Sequence, residues 1–86
     1  MLNGVFAVYD VQAESYMKPI FTPTKGLAVR SFMDAVNDPN SPFAKYPDDF
    51  RLCEIGTFDE STGALVSYEH PEPLGYAREY LQGENL

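Results

Sequence analysis

Short apolar blocks separated by prolines run along this 86-residue chain. The first block, residues 4–10 (GVFAVYD), is β-branched and aromatic, which predicts a strand. Both of its faces are largely apolar, so we expect this strand to be central in a sheet. After a polar connection, residues 16–21 predict a short second strand. Pro19 should confine that strand to an edge, because proline donates no hydrogen bond to a neighbouring strand.

Residues 25–37 predict the main helix. An apolar stripe recurs there at i, i+3, i+4 and i+7, formed by Val29, Phe32, Met33 and Val36. Thr24 is the predicted N-cap. Pro39 should end the helix, because it disfavours helical backbone at the residue before it. Residues 40–49 then predict a loop with room for one helical turn around residues 43–45.

A β-hairpin is predicted in the second half of the chain. Residues 50–59 and 64–68 favour two strands, because both segments are rich in β-branched and aromatic residues. Gly63 lies in the short connection between them and suits a tight turn, because glycine adopts a positive φ without strain. The prolines at residues 70–73 should break the chain after the second strand.

Residues 74–82 predict a short C-terminal helix, which Gly83 would cap. The predicted order is ββαββα, an α+β fold in which a four-stranded antiparallel sheet carries one main helix on a face. The length suits a single domain over residues 1–86. A helix on one face leaves the other face partly apolar, so we expect a homodimer through that face or through an edge strand.

Charge and cysteine content narrow the setting. The net charge of −7 disfavours a protein whose whole surface follows a phosphate backbone. The charge is uneven, with a net of −1 over residues 1–43 and −6 over residues 44–86, so any nucleic-acid site is expected in the first half. Cys53 is the only cysteine, which indicates a reducing compartment. No apolar run approaches the length of a membrane span, so we expect no membrane partner.

Candidate catalytic and metal-binding residues are few. Cys53 would need a histidine base to act as a nucleophile, and the one histidine, His70, precedes a proline in a predicted loop. A cysteine in mid-strand usually packs as a small hydrophobe. A single histidine without a second ligand at metal spacing does not favour a metal site. We therefore expect a protein that is not an enzyme and that carries no metal or cofactor.

Two acidic loops have a plainer interpretation than a catalytic or cation site. Residues 59–63 (DESTG) begin like a cation loop but lack the acidic third and fifth positions of an EF-hand, and they suit a hairpin turn. Asp48 and Asp49 follow Pro47 in a sequence typical of turns, and we expect both carboxylates to face water.

The candidate surface for nucleic acid lies at the junction of the second strand and the main helix. Tyr16 and Phe21 would stack on unpaired bases, and Tyr9 is a further stacking candidate. The cations that would contact phosphate are Lys18, Lys25 and Arg30. The N-terminus of the predicted helix would add backbone N–H groups for an anion. The alternative is that the aromatic residues belong to a core or an interface and that the lysines are solvated.

Four segments together resemble one family. They are AVYD (residues 7–10), VRSFMDAVNDP (29–39), KYPDDF (45–50) and IGTFD (55–59). Over about residues 4–75, the chain resembles the small nonstructural protein of gokushovirus-type microviruses, which are tailless phages with circular single-stranded DNA genomes. The resemblance implies a protein that works in the cytoplasm of the infected bacterium and is absent from the virion.

The resemblance also implies an accessory role in synthesis of the single-stranded genome, and it assigns no catalytic residue. We expect contacts with phage or host replication or packaging proteins, because the acidic second half suits a basic partner. The alternative is direct binding of single-stranded DNA through residues 16–30.

Overall fold

The computed structural model describes residues 1–82. Its strands are β1 (Leu2–Asp10), β2 (Ser15–Tyr16), β3 (Ile20–Thr22), β4 (Phe50–Asp59) and β5 (Leu65–Tyr76). Its helices are α1 (Lys25–Val36), α2 (Pro42–Lys45) and a C-terminal 3₁₀ helix (Ala77–Tyr80). The predicted α+β class and antiparallel sheet are confirmed, whereas the predicted four-stranded ββαββα order is not matched.

The sheet has the order β2-β1-β4-β5, and β3 also pairs with β1. Because β4 follows one edge of β1 along its whole length, β2 and β3 share the other edge. Tyr16 pairs with Tyr9 and Ile20 with Phe6, so one extra residue lies between the two short strands. Pro19 lies at this irregularity, where it has no N–H to donate. The strand predicted over residues 16–21 is therefore interrupted, which is why the sheet has five strands.

Helix α1 begins where its capping residue predicts. Oγ1 of Thr24 accepts a hydrogen bond from the Leu27 N–H at 3.2 Å, and Asn37 is the C-cap. The buried side chains of the helix are Ala28, Phe32 and Val36. Val29 and Met33, which belong to the predicted stripe, are only partly buried. None of the helices within residues 1–82 is long and apolar enough to cross a lipid bilayer.

Strand β5 is longer than predicted. It continues through Pro71 and Pro73 to Tyr76, so the break predicted at residues 70–73 is wrong. Prolines are tolerated there because β5 is an edge strand and one of its sides has no neighbour to receive an N–H. A large irregular bulge separates its two halves, since four residues of β5 lie opposite the single residue Ile55 of β4.

The helix predicted over residues 74–82 is also wrong. Leu74 belongs to the end of β5, and only Ala77–Tyr80 forms a single 3₁₀ turn. Ala77 is buried in the core and Leu74 packs against it. The apolar residues that predicted a helix are therefore spaced to contact the core from the end of β5 and the 3₁₀ turn. The predicted cap, Gly83, lies outside the described residues.

The core lies on one face of the sheet, which we call the core face. Its buried cluster consists of Phe6, Ala28, Phe32, Val36, Phe50, Leu52 and Ala77. α1 and the 3₁₀ helix contribute to this cluster, and Phe43 of α2 packs against it. The opposite face, which we call the open face, carries the alternate residues of β1 and β4 and has no packed helix within residues 1–82.

The β4–β5 connection is the turn that the sequence predicts. The Asp59 N–H donates to the Ala64 carbonyl at 2.9 Å, and Gly63 has a φ of 78°, which favours glycine. We call this end of the sheet the hairpin end. No residue of β4 beyond Leu52 belongs to the core cluster, so the helices support the other end of the sheet.

Candidate functional site

A line of aromatic and arginine side chains crosses the open face away from the hairpin end. Tyr16 of β2 pairs with Tyr9 of β1, and Tyr9 pairs in turn with Arg51 of β4. Arg51 then pairs with Tyr76 of β5, and Arg78 of the 3₁₀ helix lies over the Tyr76 ring. We call these five residues the tyrosine–arginine row and this end of the sheet the row end.

Strand alternation places the row on the open face. Arg51 lies between Phe50 and Leu52, both of which belong to the core cluster. Tyr9 follows Val8, which packs against that cluster. Because successive strand residues point to opposite faces, Tyr9 and Arg51 point away from the helices. The helices on the far side therefore support the row without covering it.

The row is held by contacts between planar groups. The ring centroids of Tyr9 and Tyr16 are 4.9 Å apart at an interplanar angle of 59°. The guanidinium carbon of Arg51 lies 5.0 Å from the Tyr9 centroid and 5.8 Å from the Tyr76 centroid. That of Arg78 lies 4.5 Å from the Tyr76 centroid. All three are within cation–π range.

Arg51 is the central cation of the row. Its Nη1 donates to the Tyr76 hydroxyl at 3.4 Å, whereas its Nε is buried and has no acceptor within residues 1–82. The Cys53 sulfur raises the pKa of Arg51 above its ordinary value, and this outweighs the opposite effect of burial. The guanidinium charge is permanent because arginine is not deprotonated in proteins. Buried donors without an acceptor are uncommon in folded proteins.

The outer parts of the row are accessible. Tyr16 is 42% exposed. Arg78 donates to Oδ1 of Asp48 at 3.3 Å, and both side chains are at least half exposed. A surface ion pair of this kind contributes about 0–1 kcal/mol, so Arg78 can exchange Asp48 for another anion at little cost.

The structure separates the five residues that the sequence proposes as a nucleic-acid site. Tyr16 belongs to the row, and Phe21 lies towards the hairpin end, where its ring meets Phe58 at 5.5 Å. Lys18 lines a cavity of about 190 Å³ between the sheet and α1. The two remaining cations, Lys25 and Arg30, also lie outside the row.

Lys25 and Arg30 both belong to α1. Nζ of Lys25 lies 3.7 Å from Glu54 and 3.6 Å from Glu72, so two carboxylates already face this ammonium group. Arg30 is exposed on the helix. Neither cation extends the aromatic surface at Tyr16, and residues 16–30 do not form one face.

Three residues of the row were missed by sequence reasoning. Arg51, Tyr76 and Arg78 lie in the acidic second half, which the charge distribution disfavours. Their alignment with Tyr9 depends on strand register, and pairs so distant in sequence leave no local signal. Tyr76 in particular was missed because the two prolines predicted that the strand would end before it.

The candidate nucleophile and base occupy different environments. Cys53 is buried in β4, and His70 is exposed in the bulge of β5. No hydrogen bond joins them within residues 1–82. Over the same residues, no group of three or more His, Cys, Asp or Glu side chains is placed to hold a metal ion.

The Asp59 carboxylate organises the hairpin turn. Its Oδ1 accepts the Ser61 N–H at 2.9 Å and the Ser61 hydroxyl at 2.6 Å. These two bonds lower the pKa of Asp59, the hydroxyl bond first, because they favour the charged carboxylate. Asp59 therefore stabilises the hairpin turn, as the sequence predicts.

Comparison with known proteins places the chain in a family. Residues 3–80 match the family model of the phage ORF5 protein. Protein ORF5 of Chlamydia phage 1 is 40% identical over 62 residues, which cover 67% of this chain and 65% of that protein. The chain thus matches just under two thirds of the length of this relative. No solved structure gives a significant match. The resemblance to a gokushovirus-type microvirus protein is confirmed, and this chain belongs to the phage ORF5 protein family.

Proposed function

We propose that this phage protein is a non-enzymatic accessory factor in synthesis of the viral single-stranded DNA genome, and that it binds unpaired DNA bases through the tyrosine–arginine row. It would act in the cytoplasm of the infected bacterium and stay out of the virion. The family resemblance supplies the biological setting of the proposal, and the row supplies a surface.

The observation that carries the proposal is the row itself. Neighbouring strands lie about 4.8 Å apart, so residues in register across four strands present planar groups at short, regular intervals. Unpaired bases stack on aromatic rings and on arginine with little sequence preference. Tyr16 and Arg78 are the accessible members at the two sides of the row, so they would be the first to meet a strand.

The charges predict that stacking outweighs phosphate contact. The row holds two arginines in a chain of net charge −7. Each phosphate contact with a single strand contributes a slope of about −0.7 to log K against log salt, so two contacts predict a slope of about −1.4. Such a slope is shallow for a DNA-binding protein: a fourfold rise in salt would weaken binding only about sevenfold.

The proposal of a non-enzymatic role is supported by the two candidate catalytic side chains. The Cys53 thiol is buried inside the sheet, where a substrate has no access to it. His70 lies at the surface with no hydrogen bond to a carboxylate within residues 1–82. A nucleophile needs a base within hydrogen-bond reach, and this pair does not provide one.

The experiment is a fluorescence anisotropy titration of a labelled thirty-base single strand. Tyr16→Ala should lose about 1–3 kcal/mol of binding free energy, the usual value of one base–aromatic stack. Tyr46→Ala is the matched control, because Tyr46 is also an exposed tyrosine, at 56%, and lies outside the row. Equal losses for the two variants, or no binding by the natural chain, would reject the proposal.

A second candidate function rests on the acidic surface of β5. Glu69 and Glu72 are exposed there, and Glu60 is exposed at the turn. Such a surface suits a basic patch on a replication or packaging protein, through electrostatic complementarity. Capture experiments from infected cells with Glu69→Gln/Glu72→Gln against the natural chain test this contact. A partner retained equally by both would exclude the acidic surface.

A further inference from the structure

The outer edge of β5 has no neighbouring strand within residues 1–82. Strand β5 ends the sheet on this side, and it is 12 residues long. An edge of this kind offers a row of backbone N–H and C=O groups to another chain unless something blocks it. The two halves of β5 differ in this respect.

The half of β5 next to the row end is blocked. Glu69–Pro73 is not a regular edge, because it contains two prolines and two glutamates. The bulge opposite Ile55 distorts it further. Prolines, charges and bulges are the features by which natural sheets prevent edge pairing.

The half at the hairpin end is not blocked. Residues 64–68 (ALVSY) contain no charge and no proline. Leu65 is 62% exposed and Val66 is 54% exposed. Exposed apolar side chains on both faces of one short edge are costly for an isolated chain and typical of an interface.

The backbone of this segment is oriented for pairing. The Ala64 carbonyl accepts the Asp59 N–H, and the Val66 carbonyl also turns towards β4, where it lies so close to Gly56 that a Cβ there would collide with it. Backbone groups of successive strand residues point to alternate sides. Leu65 and Ser67 therefore present their N–H and C=O groups to the outer edge.

We propose that a second copy of this chain pairs with this edge, antiparallel, about a two-fold axis at Val66. In this register Leu65 lies opposite the partner's Ser67, so the two outward-facing residues form a hydrogen-bonded pair. Val66 lies opposite the partner's Val66. The same patch serves both copies, as a closed two-fold dimer requires.

Charge favours this occupant and this register. A chain of net charge −7 repels its copies over most of its surface, and the uncharged segment at residues 64–68 lets two copies approach. With the axis at Val66, Glu69 lies opposite the partner's Gly63, so no carboxylate faces another within the paired segment, residues 63–69. The tyrosine–arginine row lies at the opposite end of the sheet, and the dimer does not depend on its proposed function.

Opposite charges at Val66 test the two-fold contact. Light scattering of the natural chain should report twice its mass of 9.6 kDa. Val66→Lys and Val66→Glu each place like charges across the axis, so each should raise the dimer dissociation constant about tenfold or more. An equimolar mixture of the two variants should restore the dimer, because lysine then faces glutamate.

Two control variants locate the interface. Leu2→Lys adds the same charge to a residue that is 60% exposed on β1, away from the β5 edge, and should leave the dimer intact. Phe21→Lys does the same on the open face, where Phe21 is 48% exposed. A monomeric natural chain, a mixture that stays monomeric, or a dimer broken by Phe21→Lys and kept by Val66→Lys would each overturn the proposal. Circular dichroism of every variant confirms that the monomer is folded.

Discussion

The two ends of the sheet are built in opposite ways. At the row end, Phe50 and Leu52 anchor β4 in the core, so helices support the backbone from behind. The side chains on the open face there are polar aromatics and arginines. At the hairpin end, β4 contributes nothing to the core cluster, and Leu65 and Val66 are more than half exposed.

The two ends of the sheet meet different physical requirements, one for ligand recognition and one for assembly. Ligand recognition needs side chains held in fixed positions, and a packed core behind the sheet provides that rigidity. Assembly needs apolar area and unpaired backbone, and both are present where the core is absent. An acidic chain with 86 residues thus separates its proposed binding surface from its proposed interface along one sheet.

The largest expected difference between the two ends is in stability. Leu52→Ala should cost about 2–5 kcal/mol, because Leu52 is 1% exposed and its loss leaves a cavity in the core. Leu65→Ala should stay within about 0.5 kcal/mol in the monomer, because Leu65 is mostly exposed. Urea unfolding, at protein concentrations too low for a dimer to form, measures the change in the free energy of unfolding for each variant. Similar losses would mean that the hairpin end has a core of its own.

A smaller effect separates stacking from charge within the row. Arg51→Lys keeps the positive charge and removes the planar guanidinium, so DNA affinity should fall by roughly 1 kcal/mol with an unchanged salt slope. Arg78→Gln removes a charge, so the slope should become shallower by about 0.7. Salt titrations of the two variants test this contrast. If Arg51→Lys changed the salt slope, Arg51 would contribute to DNA binding through its charge and not through stacking.

The smallest expected effect is a pH dependence confined to the hairpin end. The pKa of Asp59 is lowered from its ordinary 3.8 by its bonds to Ser61, so this contribution to stability is present above that value and is lost as the pH falls through the lowered pKa. Ser61→Ala should raise the pKa of Asp59 towards 3.8. Carboxyl titration by NMR measures the shift, and an unchanged pKa would show that the hydroxyl bond does not form in solution.

Much of the local structure could be predicted because its causes are local. Thr24 caps α1 with its own side chain, and Gly63 adopts the positive φ of its turn. The start of α1 and the full extent of β4 follow from such signals. Predictions failed where tertiary context overrides a local rule. Pro71 is tolerated in β5 because the strand lies at an edge, which no neighbouring residue reveals.

Of the five residues in the candidate site, only the two tyrosines Tyr9 and Tyr16 were predicted from the sequence. Tyr16 is in the row, whereas Lys18 and Lys25 lie elsewhere and contact a cavity or two carboxylates. Their closeness in sequence does not bring them together, because a bulge at Pro19 and the start of a helix turn them to different sides. Sequence proximity was a poor guide for this reason.

The sequence by itself determined the α+β class, the main helix with its cap and the turn at Gly63, since propensity, capping and φ preference act within a few residues. Only the tertiary structure decided which side chains share a line across the sheet. Tyr9 meets Arg51 through antiparallel register, and Arg51 meets Tyr76 only because β5 continues past its prolines. Register depends on which faces the core buries along the whole strand, and that choice is made by the folded chain as a unit.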